Sequence, residues 1–295
     1  MLEHVIGQII NGLQLGFMYA LIALGYTMVY GVVKLINFAH GDVFMVGAFV
    51  GYFGFSQWGM PVPVAVLTAM AVCAVLGVVI EKIAYRPLRY APKIAALISA
   101  LGVSLFLEYF SSLKFIFGPN YRVVQRPFEE VHWQLAGISV SNIQVMVMVV
   151  VILMLLMLQY LLFRTKIGMA MRTVSLDHDA ARLMGVNVDS VISATFAIGS
   201  ALAAAGGVLY AIAYPQIQPF MGIMPGLKAF TAAVLGGIGI IPGAVLGALI
   251  MGQVETLTAA FLSSQLRDAI AFGILILVLL VRPCGILGKT ETEKV

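Results

Sequence analysis

RTKIGMAMRTVSLDHDAARLMGVNVD, residues 164–189, is the most polar stretch of this chain, and it lies between apolar runs at 142–163 and 191–213. The runs on either side are long enough to cross a bilayer, so the segment between them has to sit in water at a membrane face. Within it, Asp177 suits a helix N-cap, residues 178–184 suit two helical turns, and Gly185 suits the left-handed position after the last turn. Ala180, Leu183 and Met184 form a narrow apolar stripe on that short helix. Arg182 is spaced to pair with Asp179 at i,i+3. Two readings follow: a helix lying on the membrane surface, or a helix that sits in the groove of a soluble partner.

Working outward, the 295 residues are 61% hydrophobic and only 10% charged, against about a quarter charged in soluble domains. The runs lack the alternation of a β-barrel, so the predicted class is all-α, a polytopic helical bundle in one transmembrane domain (1–295). The net charge of +4 is explained by loops at one membrane face, not by nucleic-acid binding. Cys73 lies inside an apolar run and Cys284 follows the last one, so no disulfide is expected. The start, Met-Leu-Glu-His, has no basic n-region and no Ala-x-Ala site, so the first helix is not read as a cleaved signal.

Apolar segments fall at 8–31, 41–57, 62–84, 94–117, 142–163, 191–213, 226–238, 243–262 and 267–282. The seventh is too short to cross a core about 30 Å thick and must be a half-helix or join its neighbour through Gly236–Gly243. Eight or nine spans with interrupted helices are therefore predicted.

Lys34, Lys82, Arg86, Arg89, Lys93, Arg164, Lys166, Arg172, Arg182, Arg282, Lys289 and Lys294 fall on one side. Lys114, Arg122, Arg126, Lys228 and Arg267 fall on the other. The richer side is cytoplasmic by the positive-inside rule, which puts the N-terminus in the periplasm and the C-terminus in the cytoplasm. Trp58 and Trp133 then fall at the outer interface, and the outer segment 118–141 is placed to cover or touch an external partner. A faint repeat also shows. One block passes a polar turn (Asn37–Gly41) and ends at Arg86-Pro87; a second passes Gly236–Gly243 and ends at Arg282-Pro283. Repeats that flank broken helices commonly place a pathway between them.

The polar turn holds Asn37, His40 and Asp42 within six residues, expensive groups in a bilayer. Either they line a path, with Phe38 and Gly41 beside them, or Asn37 and Asp42 cap helix ends while His40 satisfies a carbonyl. Asp42 is read as a cap, and Asn37 and His40 as approaching the path. No second His or Cys stands at ligand spacing, so no metal is expected. Gly12-x-x-x-Gly16, Gly47-x-x-x-Gly51 and Gly239-x-x-x-Gly243-x-x-x-Gly247 read as helix packing. Gly236, Gly237 and Pro242 are more telling, because they interrupt a helix where freed backbone groups must face protein or water. Gly288-Lys289-Thr290 is no phosphate loop, since position 283 is Pro and no strand precedes it. Glu81, Glu108, Glu255 and Arg267 fall near helix ends, whereas a proton-coupled carrier shows acidic groups deep in several helices; Glu255 is the one to watch and is read as snorkelling at a helix end.

Several longer matches carry a resemblance. Ile36-Asn-Phe-Ala-His-Gly-Asp-Val-Phe-Met-Val-Gly-Ala48, Arg86-Pro-Leu-Arg89, Gly226-Leu-Lys-Ala-Phe-Thr-Ala-Ala-Val-Leu-Gly-Gly-Ile-Gly239 and Val281-Arg-Pro-Cys-Gly285 look like the LivH-type (BraD-like) permease subunit of branched-chain amino-acid ABC transporters. Asp179-Ala-Ala-x-x-x-Gly185 resembles the Glu-Ala-Ala-x-x-x-Gly coupling signature of ABC importer permeases. Asp replaces Glu, and the Ile-x-Leu-Pro that follows in the full signature is absent.

The resemblance implies an inner-membrane importer. A periplasmic binding protein would deliver Leu, Ile or Val; this chain and a paralogous permease would form the pathway. Two ATPase subunits would hold ATP and Mg, with no cofactor on this chain. Asp179, Ala180, Ala181, Arg182, Leu183, Met184 and Gly185 would couple to the ATPase, and Asn37, Phe38, His40, Gly41, Gly236 and Gly237 are the pathway candidates. Relatives that carry urea, short amides or other amino acids stay open, as do a self-contained channel or ion-coupled carrier and a scaffold that recruits a soluble enzyme.

Overall fold

The computed structural model describes residues 2–89, 91–135 and 138–288. Lys289, Thr290 and Lys294, named above, lie outside the described residues. The fold is helical: α1 (Leu2–Val33), α2 (His40–Tyr52), α3 (Val62–Ile80), α4 (Lys93–Ser111), α5 (Asn142–Arg164), α6 (Lys166–Leu176), α7 (His178–Leu183), α8 (Val188–Ala213), α9 (Ile223–Gly236), α10 (Ile241–Phe261) and α11 (Arg267–Val281).

Among the described residues, six helices are long and apolar enough to cross a membrane. They are Glu3–Val33, Val62–Leu88, Ile94–Ser111, Asn142–Arg164, Val188–Ala213 and Ile241–Phe261. α2, α9 and α11 have 13, 14 and 15 residues. At 1.5 Å per residue, the 14 residues of α9 reach only about 21 Å, short of a core about 30 Å thick. α2 extends through a π turn (Phe53–Gln57), and α3 continues through another (Glu81–Tyr85) into a 3₁₀ turn at Arg86–Leu88.

α1 and α8 form the centre, with 78% and 72% of their apolar windows buried; α4 and α5, at 28% and 22%, lie outside. Small residues set the spacing. α1 meets α10 where a Cβ on Gly252 would strike the Gly12 carbonyl oxygen, and α2 meets α8 where one on Gly47 would strike Ala204. The Gly12/Gly16 and Gly47/Gly51 pairs therefore serve packing within the chain, as do Gly243 and Gly247 against α9, whereas Gly239 lies in the turn before α10 and makes no close contact. α1 ends on Lys34, the only non-glycine at positive φ (+58°) among the described residues.

The segment between α4 and α5 is not plain coil. β2 (His132–Leu135) and β3 (Ile138–Ser141) pair antiparallel, and β1 (Arg122–Val123) pairs with β4 (Gln216–Ile217) just after α8. Arg126 ties the segment down by donating from Nε to the Ile212 carbonyl oxygen at 3.3 Å and by pairing with Glu130. Partial burial pushes the Glu130 carboxyl up, but the Ser141 hydroxyl at 2.9 Å and the Arg126 guanidinium outweigh it and hold it below its ordinary value.

Candidate functional site: an exposed helix, a carboxylate-lined chamber and a second polar cavity

The polar stretch folds as its residues dictate. The Asp177 side chain accepts from the backbone N–H of Asp179 (2.8 Å) and Ala180 (3.0 Å), α7 runs from His178 to Leu183, and Gly185 takes φ +81°. These N–H groups stabilise the ionised carboxylate and hold Asp177 below its ordinary value. Ala181 is fully buried, whereas Leu183 and Met184 are 88% and 80% exposed, and Leu176 just before the helix is equally bare. Arg182 pairs with Asp179 at 3.5 Å. His178 places Nε2 2.9 Å from the Val32 carbonyl oxygen, so the helix is hooked to the end of α1.

A second set of ties, which spacing did not reveal, joins this loop to α3. Arg86 and Arg89 both pair with Asp189 at the start of α8, and Arg89 also pairs with fully buried Glu81. Ser193 donates to the same Glu81 at 2.7 Å. The Arg-Pro-Leu-Arg motif is therefore a latch between two helix ends. A cavity of about 280 Å³ lies beside it, lined by Lys34, Arg89, His178, Asp179, Arg182 and neighbouring apolar residues.

The polar turn departs from expectation. Asp42 does not cap α2: the helix starts at His40 after Ala39 with no side-chain cap, and Asp42 sits inside the first turn. Its carboxylate instead accepts from Ser104 Oγ on α4 at 2.5 Å and faces Glu108 one turn further on. Asn37 is no cap either; its Oδ1 accepts from Tyr85 OH at 3.1 Å. His40 packs edge-on against Tyr26, with centroids 4.8 Å apart, in a space that Gly25 leaves open. Asn37 and His40 are both buried within this chain. Phe38 and Gly41 behave differently. With Asp42, Glu108, Leu105 and Phe230 they line a chamber of about 450 Å³ between α1, α2, α4 and the start of α9. A close approach of Gly41 to Gly222 and Gly226 joins the starts of α2 and α9.

At the glycine break, α9 ends on Gly236 and Gly237 takes φ +108°. Gly236 presses against the Gly243 carbonyl of α10, and its own carbonyl accepts from Leu287 N–H at 3.1 Å. The backbone groups freed at the break thus face protein, as they must at membrane depth. Gly236 and Gly237 do not meet the chamber at Phe38 and Gly41.

Snorkelling fails for Glu255. It is fully buried and lies 3.0 Å from Lys228 Nζ, with Tyr19 OH donating to it at 3.2 Å. Lys228 also pairs with Asp268 at 2.7 Å, so it is not an outer loop charge but part of the bundle. Arg267 approaches Glu255 and Asp268 through Nε, at 3.7 and 3.5 Å. The spacing of Lys228 and Glu255, 27 positions apart on different helices, offered no signal for this cluster. It borders a cavity of about 450 Å³ at the end of the bundle where α1 starts and α10 finishes. Among the described residues no group of His, Cys, Asp and Glu could hold a metal ion.

Comparison with known proteins matches this sequence along almost its whole length. Residues 8–279 match the family model described as the branched-chain amino acid transport system / permease component. The chain is 42% identical to the high-affinity branched-chain amino acid transport system permease protein LivH of Escherichia coli K12, over 99% of this chain and 98% of the relative. It is 41% identical to the corresponding protein BraD of Pseudomonas aeruginosa, with the same coverage. A probable LivH of Methanocaldococcus jannaschii is 29% identical over 91% of this chain and 88% of the relative. No solved structure matches. A multi-pass helical protein with this match is a transport permease, and the chain belongs to the branched-chain amino acid transport permease family.

Proposed function

We propose that the chain is a permease subunit of an ATP-driven importer for branched-chain amino acids. With a paralogous permease it forms the pathway for Leu, Ile or Val handed over by a periplasmic binding protein. The observation that carries the substrate class is near-full-length identity of 41–42% to relatives named as high-affinity branched-chain amino acid permeases. Residues 1–295 form one transmembrane domain with eight or nine spans, counting α2 with its π turn and α11 with the six longer helices and leaving α9 as a half-helix or a ninth. The Lys/Arg bias puts the N-terminus outside and the C-terminus in the cytoplasm. Removing Lys228 from the outer count only sharpens that bias.

Coupling runs through Asp179–Gly185. Exposed Leu183 and Met184, on a helix whose ends are fixed by Asp177 and Gly185, favour a packed contact with an ATPase subunit, where ATP and Mg would be held. The latch from Arg86 and Arg89 to Asp189 and Glu81 then carries a push on α7 into α3 and α8. The substrate path passes the chamber at Phe38 and Gly41 more directly than buried Asn37 and His40, which support its wall, as Gly236 and Gly237 support the α9–α10 turn.

Buried Asp42 and Glu108 restore the acidic groups that an ion-coupled carrier would use, so the test must separate the two readings. Leu183→Arg puts a charge on the exposed apolar tip of α7. In the assembled transporter it should abolish uptake driven by ATP while the complex still inserts and assembles. Normal uptake by this variant would remove coupling from the loop.

A further inference from the structure

We propose that the cavity between the starts of α1 and α11 and the end of α10 is a receiving subsite for an amino-acid zwitterion, with Arg267 holding its carboxylate and Glu255 its ammonium group. This rests on the permease reading above and adds a ligand site to it. The cavity, about 450 Å³, lies within the roughly 300–1,000 Å³ of small-molecule sites. Gln8, Asn11, Gln14 and Thr256 give its wall neutral hydrogen-bonding groups, and Leu15, Ala259 and Ala260 give it an apolar side. An amino acid with a hydrocarbon side chain needs both.

The charges behind it are balanced. Two cations, Lys228 and Arg267, face two carboxylates, Glu255 and Asp268. Lys228 is satisfied at 3.0 and 2.7 Å and buried, so it stays as a fixed countercharge to the acids. Arg267 is held less firmly: its side chain is 45% exposed and its Nε lies 3.7 and 3.5 Å from the two carboxylates. Its guanidinium fork is the group that can turn to a carboxylate without leaving a buried acid unpaired. A zwitterion adds one charge of each sign and keeps the cluster neutral. A net cation or anion would leave an uncompensated charge at this depth, which is expensive.

A neighbouring cavity of about 210 Å³ under the β2–β3 hairpin shares Asn11, Gln14 and Tyr214 with this one. The two make one trough from the outer segment into the bundle, on the side where a binding protein would dock. The ligand class is therefore a free neutral amino acid, and its side chain lies along Leu15 and α10.

The test uses the whole transporter, with its paired permease and ATPases, in lipid nanodiscs. Thr256→Cys is labelled with an aqueous maleimide in the presence of leucine, leucinamide or 4-methylpentanoate, with Ala259→Cys as a second reporter should the first not assemble. Leucine should slow labelling at both, whereas the amide, which lacks the carboxylate, and the acid, which lacks the ammonium, should not. Arg267→Gln should weaken leucine protection about tenfold or more, as loss of a charge-assisted hydrogen bond implies, and Arg267→Lys should restore part of it. Equal protection by all three compounds, or none by leucine, overturns the subsite. ATP-driven leucine uptake by the unmodified transporter, measured in vesicles alongside, keeps the two claims apart: uptake without protection refutes the subsite alone, and absent uptake refutes the permease reading.

Discussion

Replacing Arg89 should harm this protein far more than replacing Arg86, although the two share a motif and both pair with Asp189. Arg86 and Asp189 are 49% and 41% exposed, so their pair is a surface ion pair worth at most about 1 kcal/mol. Arg89 is 13% exposed, and its other partner, Glu81, is fully buried. Arg89→Met therefore strands a buried carboxylate, a change that typically costs about 3–5 kcal/mol. Ser193 still donates to Glu81 at 2.7 Å, which puts the expected loss near the lower end, about 3 kcal/mol. Glu81→Gln in the Arg89→Met background removes the stranded charge and should recover much of that loss. The assay is denaturant unfolding of the purified protein in mixed micelles, run as a double-mutant cycle over Glu81 and Arg89 with Arg86→Met as the surface control. Equal destabilisation by Arg86→Met and Arg89→Met, or no recovery on adding Glu81→Gln, would refute the latch as a buried tie between α3 and α8.

Three further outcomes can be checked directly. Gly236→Leu should cost more transport and stability than Gly12→Leu, by about 1–3 kcal/mol for overpacking against backbone, because a side chain at Gly236 strikes the Gly243 carbonyl whereas one at Gly12 meets only the flexible end of Gln253; equal losses in unfolding and uptake would remove the distinction. The Asp177 cap should hold α7 at any pH above the ordinary carboxylate value of 3.8, where Asp is ionised in folded and unfolded states alike. As its folded value is lowered, that contribution should fade only as pH drops through and below this range, seen as faster amide exchange at residues 179 and 180; exchange independent of pH there, after correction for its intrinsic rate, would refute the cap. Phe38→Cys should react with small aqueous thiol reagents at a rate that changes with substrate or nucleotide, whereas His40→Cys should stay inert, since Phe38 lines the chamber and His40 is buried; the reverse pattern would move the path to the other side of the turn.

What was legible in the sequence was whatever local chemistry decides. The apolar runs mark the helices to within two turns at each end, the short run before Gly236 marks a helix too short to cross a bilayer alone, and Asp177 and Gly185 mark both ends of α7 because caps and left-handed positions are properties of single residues. Groups whose partners come from other helices were not legible. Asp42 suited a cap by position, but Ser104, 62 residues away, draws it into the chamber wall. Glu255 suited snorkelling from its place near a helix end, yet Lys228 supplies its countercharge and Tyr19 OH donates to it in the interior. Periodicity reports which face of a helix is apolar, and it cannot report which polar group across the bundle meets it. The short hairpin at 132–141 was hidden for a related reason: four-residue strands between charged and proline-rich residues carry too little alternation to register.

Transport of a branched-chain amino acid by this chain, as proposed above, is driven by ATP on its partner subunits. The most direct measurement is uptake of labelled leucine into proteoliposomes containing this chain, its paired permease and the two ATPase subunits, with the loaded binding protein outside and ATP inside. Uptake should require both ATP and the binding protein, survive collapse of proton and sodium gradients, and vanish with Leu183→Arg although the complex stays assembled. Uptake that proceeds without ATP, or that follows an ion gradient, would contradict it.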